Sequence, residues 1–192
     1  MEKLIFATNN ANKVAEIRKV LGNLFDIITL EEAGILIDIP EPHDTLEANA
    51  TEKSSTIYKL TQKNCFSEDT GLEVKTLNGE PGVKSARYAG EGRSDADNIQ
   101  KLLSNLINEN NRRAQFRTVI SLIREGKEYQ FEGICEGTIT REQRGEKGFG
   151  YDPVFMPDGS EKTFAEMSIE EKNKYSHRKK AMSKLITFLS SK

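Results

Sequence analysis

The chain has 192 residues, of which 36% are hydrophobic and 30% are charged, and its formal net charge is −2 at pH 7. This length suits one well-packed domain, so we expect a single domain over residues 1–192. The nearly balanced charge disfavours a dedicated nucleic-acid binder, which normally carries a basic excess. No apolar run reaches the length of a membrane span, and the first residues open into a strand rather than a signal peptide. We therefore expect a cytoplasmic protein with no membrane partner.

The two cysteines, Cys65 and Cys135, are far apart and flanked by apolar residues. No C-x-x-C pair and no pair of histidines accompanies them, so neither a disulfide nor a thiolate metal site is expected. We predict two small buried thiols in a reducing compartment.

The chain opens with a predicted strand, a polar loop and a helix. Residues 3–7 are apolar, and apolar residues recur at helical spacing from Val14 to Leu24. This order directs free backbone N–H groups and the positive end of the helix dipole at an anion. Asparagines shape tight loops, and a lysine adds a positive charge for phosphate. The alternative is an ordinary capped helix start with a solvent-facing lysine. The loop residues are Thr8, Asn9, Asn10, Ala11, Asn12 and Lys13.

A second strand is predicted at 35–39, followed by a proline-rich turn and a helix that starts at the capping-box pattern Asp44-x-x-Glu47. Lys53 lies on the inward stripe of that helix, where a buried ammonium needs a partner. It either reaches out along the surface or points into a cleft and holds phosphate. Glu41, in the rigid turn, is a candidate oxygen ligand for a cation. The apolar positions of the stripe are Leu46, Ala50, Ile57 and Leu60.

The stretch 65–74 reads C-F-S-E-D-T-G-L-E-V. It predicts a short buried strand that ends in the carboxylates Glu68 and Asp69, with a backbone turn at Gly71. Two adjacent carboxylates repel each other unless a cation lies beside them, and hard oxygen ligands favour Mg²⁺ or Mn²⁺. The alternative is an acidic hairpin turn at the surface.

Further along, the pattern predicts a helix over 94–108, paired strands at 116–123 and 129–139, and a last helix capped by Ser176. Ser94 and the pair Ser168-x-x-Glu171 are further capping signals. The predicted core face of the helix over 94–108 consists of Ile99, Leu102, Leu103, Leu106 and Ile107.

Two other stretches carry residues typical of binding. Glycines bracket Phe149 and Tyr151 beside Asp152, which favours aromatics that grip a planar ring over aromatics that fill the core. Cations cluster at the start of the last helix, where they oppose its dipole unless an anion or an electron-rich ring offsets them. We expect Lys179 and Lys180 to be solvated. The cations of interest for binding are Lys172, His177 and Arg178.

Together these stretches resemble the inosine triphosphate pyrophosphatase family over essentially the whole chain. The matching segments are T-N-N-A-N-K (8–13) with Glu16, E-A-N-A-T-E-K (47–53), S-E-D-T-G-L (67–72), P-G-V-K-S-A-R-Y-A-G (81–90), G-F-G-Y-D-P-V-F (148–155), E-E-K (170–172) and S-H-R (176–178).

The resemblance implies hydrolysis of dITP, ITP, XTP and dXTP at the α–β phosphoanhydride, giving the nucleoside monophosphate and pyrophosphate. It implies Mg²⁺ as cofactor, with Mn²⁺ as a possible substitute, and a homodimer. The implied fold is α/β, with an elongated central mixed β-sheet flanked by helices and two lobes around a nucleotide-binding cleft.

The resemblance also implies roles for residues. Glu41 and Asp69 match metal ligands, Asp69 matches the proton acceptor, and Lys53 matches a phosphate-facing lysine that we group with the catalytic residues. Whether Asp69 acts as base, metal ligand or both stays open. The substrate-binding positions are Thr8, Asn9, Asn10, Ala11, Asn12, Lys13, Thr70, Phe149, Gly150, Tyr151, Asp152, Lys172, His177 and Arg178.

The chain departs from the family pattern at two places. Glu68-Asp69-Thr70-Gly71 stands where many bacterial members have Asp-Asp-Ser-Gly, and the phosphate loop is rich in Asn where Gly or Pro is frequent. Both departures keep the oxygen and hydroxyl groups. Two rival functions are a silent nucleotide-binding module, disfavoured by the charges of Glu41, Lys53 and Asp69, and an RNA-binding protein, disfavoured by the net charge.

Overall fold

The structure, a computed structural model, describes residues 2–21 and 24–191. Its strands form one mixed sheet in the order β2-β1-β3-β5-β6-β7, with β4 paired to β3. Strands β2 and β3 run parallel to β1, whereas β4 and β7 run antiparallel to their neighbours. The predicted mixed sheet with helices is confirmed. The elements are β1 (Lys3–Phe6), α1 (Ala11–Leu21), β2 (Asp26–Thr29), α2 (Leu46–Thr61), β3 (Cys65–Val74), β4 (Pro81–Gly82), α3 (Asp95–Asn105), β5 (Arg113–Arg124), β6 (Lys127–Ile139), β7 (Phe155–Pro157), α4 (Ile169–Lys172) and α5 (His177–Ser190).

The chain divides into two compact units. The first comprises residues 1–69, 118–133 and 179–192, and the second comprises 70–117 and 134–178. Strands β3, β5 and β6 each contribute residues to both units. The single domain over 1–192 stays a prediction.

Helices pack on both faces of the sheet in the first unit. Successive residues of a strand point to opposite faces, so neighbouring residues of β1 contact different helices. Leu4 and Phe6 of β1 pack in a cluster that includes buried residues of α1 and α5. Ile5 instead packs in a cluster that includes Ile57 of α2. The rings of Phe6 and Phe66 stack with centroids 4.5 Å apart, which joins β1 to its parallel neighbour β3.

The second unit has its own core, to which β3, α3, β5, β6 and β7 contribute buried residues. Phe116 makes an edge contact with Phe155, with ring centroids 4.7 Å apart, and a stacked contact with Phe164 at 6.0 Å. Tyr151 also belongs to this core, with 3% of its surface exposed.

The predicted strand at 35–39 is wrong. Ile35, Ile37 and Ile39 pack against the first unit's core, and Leu36 between them is 87% exposed, yet the segment pairs with no strand in the described part of the chain. Alternation reports one buried face and says nothing about ladder hydrogen bonds. The strand that the sequence reading missed is β2, an edge strand beside β1.

The predicted turn at Gly71 is also wrong, because β3 runs unbroken from Cys65 to Val74. A Cβ at Gly71 would lie 2.6 Å from the carbonyl oxygen of Gly82 on β4. This glycine therefore permits close approach of two strands rather than a change of direction.

Three predicted core residues lie at the surface: Leu24 is 49% exposed, Leu60 is 60% exposed and Ile107 is 71% exposed. Leu24 and Ile107 come after their helices end, so the helical stripe does not extend to them. The cap of α2 is Thr45, one residue after the predicted Asp44. The predicted caps at Ser94 and Ser168 are confirmed.

Both cysteines are free and buried, as predicted. Burial raises the pKa of the Cys65 thiol to about 12. None of the helices in the described ranges has the length and apolar character that a membrane crossing requires.

Candidate functional site

The first cluster of charged residues forms where β1 ends beside β3, which continues past it to Val74. These strands are parallel and Phe6 lies opposite Phe66, so the loop after β1 and the carboxylates after Phe66 meet at one edge of the sheet. There the Lys13 ammonium lies 3.1 Å from Glu68 Oε1, and the Glu68 side chain is fully buried. Lys13 therefore points at the carboxylates, and its side chain is only 15% exposed.

The polar loop before α1 is organised by its own side chains. Asn10 Oδ1 accepts the N–H groups of Asn12 at 3.0 Å and Lys13 at 3.2 Å, which caps the helix. Thr8 Oγ1 accepts the N–H of Asn10, and the Asn9 amide donates to the carbonyl oxygen of Ile37. The loop is thus a capped helix start with exposed Asn9, Asn10, Ala11 and Asn12.

Lys53 lies at the centre of this cluster, with 7% of its surface exposed. Its Nζ lies 2.6 Å from Glu41 Oε1 and 3.0 Å from Asp69 Oδ1. Helix α2 supplies the lysine, β3 supplies Asp69, and the turn between Pro40 and Pro42 supplies Glu41. Of the two orientations that the sequence left open for Lys53, the structure shows the inward one, and its contacts there are carboxylates.

The pKa values follow from burial and these partners. Burial lowers the pKa of Lys53, but the charges of Asp69 and Glu41 outweigh it and the pKa lies above its ordinary value. Burial raises the pKa of Asp69, and Glu41 adds to the rise against the opposing charges of Lys53 and Lys13. Three carboxylates and two ammonium groups give the cluster a net negative charge when all are ionised, which favours binding of a further cation.

The donor set of the cluster fits a divalent cation of the Mg²⁺ class. Glu41 and Asp69 both reach the same ammonium group, so their carboxylates converge on one point. Within residues 2–21 and 24–191, no group of three or more His, Cys, Asp or Glu side chains forms a ready-made metal cage. Mg²⁺ commonly binds through one or two carboxylates and completes its shell with water and phosphate oxygens.

Hydroxyl groups fix α2 against the strands on either side of Lys53. Ser67 Oγ of β3 donates to the carbonyl oxygen of Ala50 at 2.5 Å. Ser54 Oγ lies 2.7 Å from Ser121 Oγ of β5. The sequence reading missed Ser67 and the pairing of Glu68 with Lys13; the adjacent acids Glu68-Asp69 were the available signal for that pair.

A second cluster lies within the second unit. Lys172 Nζ is 2.7 Å from Asp152 Oδ2, and both residues are buried. The same ammonium lies 5.4 Å from the centroid of the Phe149 ring, and the Arg178 guanidinium lies 5.7 Å from it. These are cation–π distances, so two cations face one half-buried aromatic ring.

The two aromatics of the glycine-rich loop have different environments. The Tyr151 ring is in the core and its hydroxyl donates to the carbonyl oxygen of Ser85 at 2.8 Å. Burial raises the pKa of that hydroxyl. Phe149 is half-buried, which leaves its ring available beside Lys172. His177 is buried and stacks on Phe116 with ring centroids 4.7 Å apart.

The predicted site residues therefore fall into two groups. In the first unit the structure brings together Lys13, Glu41, Lys53 and Asp69, with the rest of the 8–13 loop beside them. In the second unit it brings together Phe149, Asp152, Lys172 and Arg178, with Gly150, Tyr151 and His177 in the adjoining loop and core. Thr70 follows Asp69 on β3 and is half-buried.

Fold and site define an α/β protein with an acid–lysine cluster suited to phosphate and a divalent cation. The chain belongs to the Ham1 family, whose sequence profile matches residues 4–188. This confirms the family resemblance found in the motifs.

Relatives and solved structures agree over nearly the full length. The chain is 51% identical over 187 residues to a dITP/XTP pyrophosphatase from Flavobacterium johnsoniae, covering 97% of each chain. The Ham1 protein of Staphylococcus aureus superimposes with a TM-score of 0.91 at 40% identity, covering 99% of each chain. A HAM1 protein from Coxiella burnetii gives 0.92 at 37% identity, covering 100% of each chain.

Proposed function

We infer that this protein hydrolyses the purine nucleoside triphosphates dITP, ITP, XTP and dXTP to the monophosphate and pyrophosphate, removing them from the nucleotide pool. The observation that carries this proposal is the buried Lys53 ammonium held between Glu41 and Asp69. Such a charge cluster is costly to bury and gives a binding scaffold no obvious benefit. Family membership and the activity in the names of the relatives support it.

Glu41 and Asp69 are the residues that would hold Mg²⁺, for which Mn²⁺ is a possible substitute. When bound, the ion supplies charge neutralisation for the pyrophosphate leaving group. Removal of divalent cations with EDTA should abolish turnover, and added Mg²⁺ should restore it. Turnover that survives EDTA would contradict this part of the proposal.

The chain's own groups handle the triphosphate. Lys13, in the first turn of α1, binds phosphate oxygens. Lys53 adds positive charge and keeps Glu41 and Asp69 in place. Asp69 orients a water molecule for attack at the α-phosphorus and accepts its proton.

The second-unit cluster supplies base recognition in this proposal. Phe149 stacks on the purine, while Lys172 and Arg178 can only donate hydrogen bonds. Hypoxanthine and xanthine carry an accepting oxygen at C6, whereas adenine carries a donating amino group. Adenine would place donor against donor at a cost of about 1–3 kcal/mol per unsatisfied group.

Initial rates of pyrophosphate release from ITP, dITP, XTP, GTP and ATP test this function. We expect the first three to be hydrolysed much faster than ATP, with weaker discrimination against GTP, since guanine shares the C6 oxygen. Similar rates for ATP and ITP would contradict the substrate class. Binding of ITP without turnover would favour the silent nucleotide-binding module.

We also propose that the protein works as a homodimer in the cytoplasm, as the resemblance implies. Light scattering of the purified protein should give about twice the 21.6 kDa chain mass. A monomer over the working concentration range would contradict the dimer.

A further inference from the structure

One hydrogen bond joins the glycine-rich loop that carries Phe149 to helix α3. Asp95 Oδ2 accepts the backbone N–H of Gly150 at 2.7 Å, although the two residues are 55 positions apart. Hydrogen bonds to an ionised carboxylate are shorter and about twice as strong as neutral ones. Gly150 directly follows Phe149, so this contact acts on the residue next to the half-buried ring.

The other side of Phe149 is fixed by a different carboxylate. Asp152 Oδ2 accepts the N–H of Phe149 at 3.1 Å. Gly148, with φ of +80°, leaves room for that carboxylate, since a Cβ there would lie 2.0 Å from Asp152 Oδ2. Tyr151, which follows Gly150, has its ring buried in the core. Asp95 is exposed, whereas the other two residues that hold the loop, Asp152 and Tyr151, are buried.

Two observations distinguish this contact from the general stabilisation of a helix start by a carboxylate or a capping residue. Asp95 lies in the first turn of α3, where any carboxylate is favoured by the helix dipole. Asp97 shares that turn and that benefit, and Ser94 rather than Asp95 caps the helix by accepting the N–H of Asp97. The bond to Gly150 is therefore specific to Asp95, which is exposed and stabilises no core packing.

We propose that Asp95 is a positioning residue that orients Phe149 and thereby sets affinity for the purine base. Without it, the N–H of Gly150 turns to water and the glycine-rich backbone explores more conformations. The cost of ordering the ring then falls on nucleotide binding. This inference rests on the proposed function, in which Phe149 stacks on the base.

The test compares Asp95→Ala, Asp95→Asn and the matched control Asp97→Ala. Isothermal titration calorimetry measures binding of inosine monophosphate, which carries the base, and of inorganic tripolyphosphate, which does not. Steady-state assays with ITP add KM and kcat. We expect Asp95→Ala to raise both the Kd for inosine monophosphate and the KM about 10-fold, with kcat within about twofold. Tripolyphosphate binding should not change.

The remaining variants decide whether the effect is specific. Asp95→Asn keeps an accepting oxygen and should recover most of the affinity, while Asp97→Ala should match the wild type. Equal weakening for monophosphate and tripolyphosphate would overturn the proposal, because it would indicate a general structural defect. An Asp95→Ala variant that behaves like Asp97→Ala, or a wild type that does not bind inosine monophosphate, would also overturn it. A wild type that binds inosine monophosphate but releases no pyrophosphate from ITP would refute the proposed function alone.

Discussion

The Lys53 ammonium lies 3.0 Å from the Asp69 carboxylate, and less than a tenth of either side chain is exposed. Glu41 Oε1 lies 2.6 Å from the same ammonium. Charges this well buried are tolerated only while they compensate each other. Substitutions at this site should therefore differ in their effect on stability according to whether they leave a buried charge uncompensated.

Asp69→Asn should lower kcat at least about 100-fold, because the amide keeps the shape of the side chain but loses the anionic charge. The fold should persist, since the amide oxygen still accepts from Lys53. Steady-state rates in saturating Mg²⁺ and a thermal melt measure both effects. Asp44→Asn, at an exposed residue before α2, is the matched control. A nearly wild-type rate for Asp69→Asn would remove Asp69 from the mechanism.

Lys53→Met should abolish most turnover and also lower the free energy of unfolding by about 3 kcal/mol. The sequence alone predicts a stability that is equal or higher, because an inward cation is replaced by an apolar chain of similar shape. The structure reverses that expectation, since the change leaves the Glu41 and Asp69 carboxylates without Lys53. Urea unfolding of both proteins measures the difference.

The double variant Lys53→Met with Asp69→Asn is the control for this reasoning. It should regain part of the lost stability without regaining activity, because one buried charge has been removed. The loss of stability caused by Lys53→Met should also become smaller as the pH falls through the pKa of Asp69 in the folded state, which burial raises. Protonation of Asp69 there removes the buried negative charge that the substitution leaves uncompensated. A loss that is independent of pH and of Asp69 would indicate a packing defect instead.

Much of the fold could be predicted from local patterns. Capping signals at Ser94 and Ser168 located helix starts, and runs rich in β-branched and aromatic residues located β5 and β6. The segment 35–39 shows the limit, because its alternating isoleucines are partly buried and pack on one side of the segment without strand pairing. Pairing depends on which neighbour is present, and residues distant in sequence decide that.

The site was predictable in residue types and less so in contacts. Lys53 stood out because a lysine on an inward stripe requires a partner, but the sequence does not say that Glu41 and Asp69 share it. Tyr151 shows the reverse case, since a tyrosine between flexible residues reads as exposed and is in fact part of the core. The bond between Asp95 and Gly150 joins two helix and loop positions that no local pattern connects.

Arg178→Ala should narrow the preference for ITP over ATP about 10-fold, because a donor facing the C6 oxygen is lost. Ratios of kcat/KM for the two substrates measure this. Lys184→Ala, at an exposed position of the same helix, is the control. Since Arg178 is buried, Arg178→Lys provides a variant that keeps charge and bulk. Equal loss on both triphosphates would place Arg178 on phosphate or on structure.

Gly71→Ala should lower the free energy of unfolding by about 2 kcal/mol, because a Cβ there would meet the backbone of Gly82 at 2.6 Å. Gly92→Ala is the matched control, since a Cβ at Gly92 meets nothing within 4 Å. Chemical unfolding of the two variants gives the comparison. Equal stability of Gly71→Ala and the wild type would show that β3 and β4 separate without cost.

In the proposed mechanism, water attacks the α-phosphorus of a purine triphosphate, with Asp69 orienting the water and Lys53 adding positive charge. Hydrolysis of ITP in ¹⁸O-labelled water, with mass spectrometry of the products, tests this most directly. We expect this attack to give inosine monophosphate that carries the label and pyrophosphate that does not. Label in pyrophosphate, or release of inosine diphosphate with labelled orthophosphate, would contradict it.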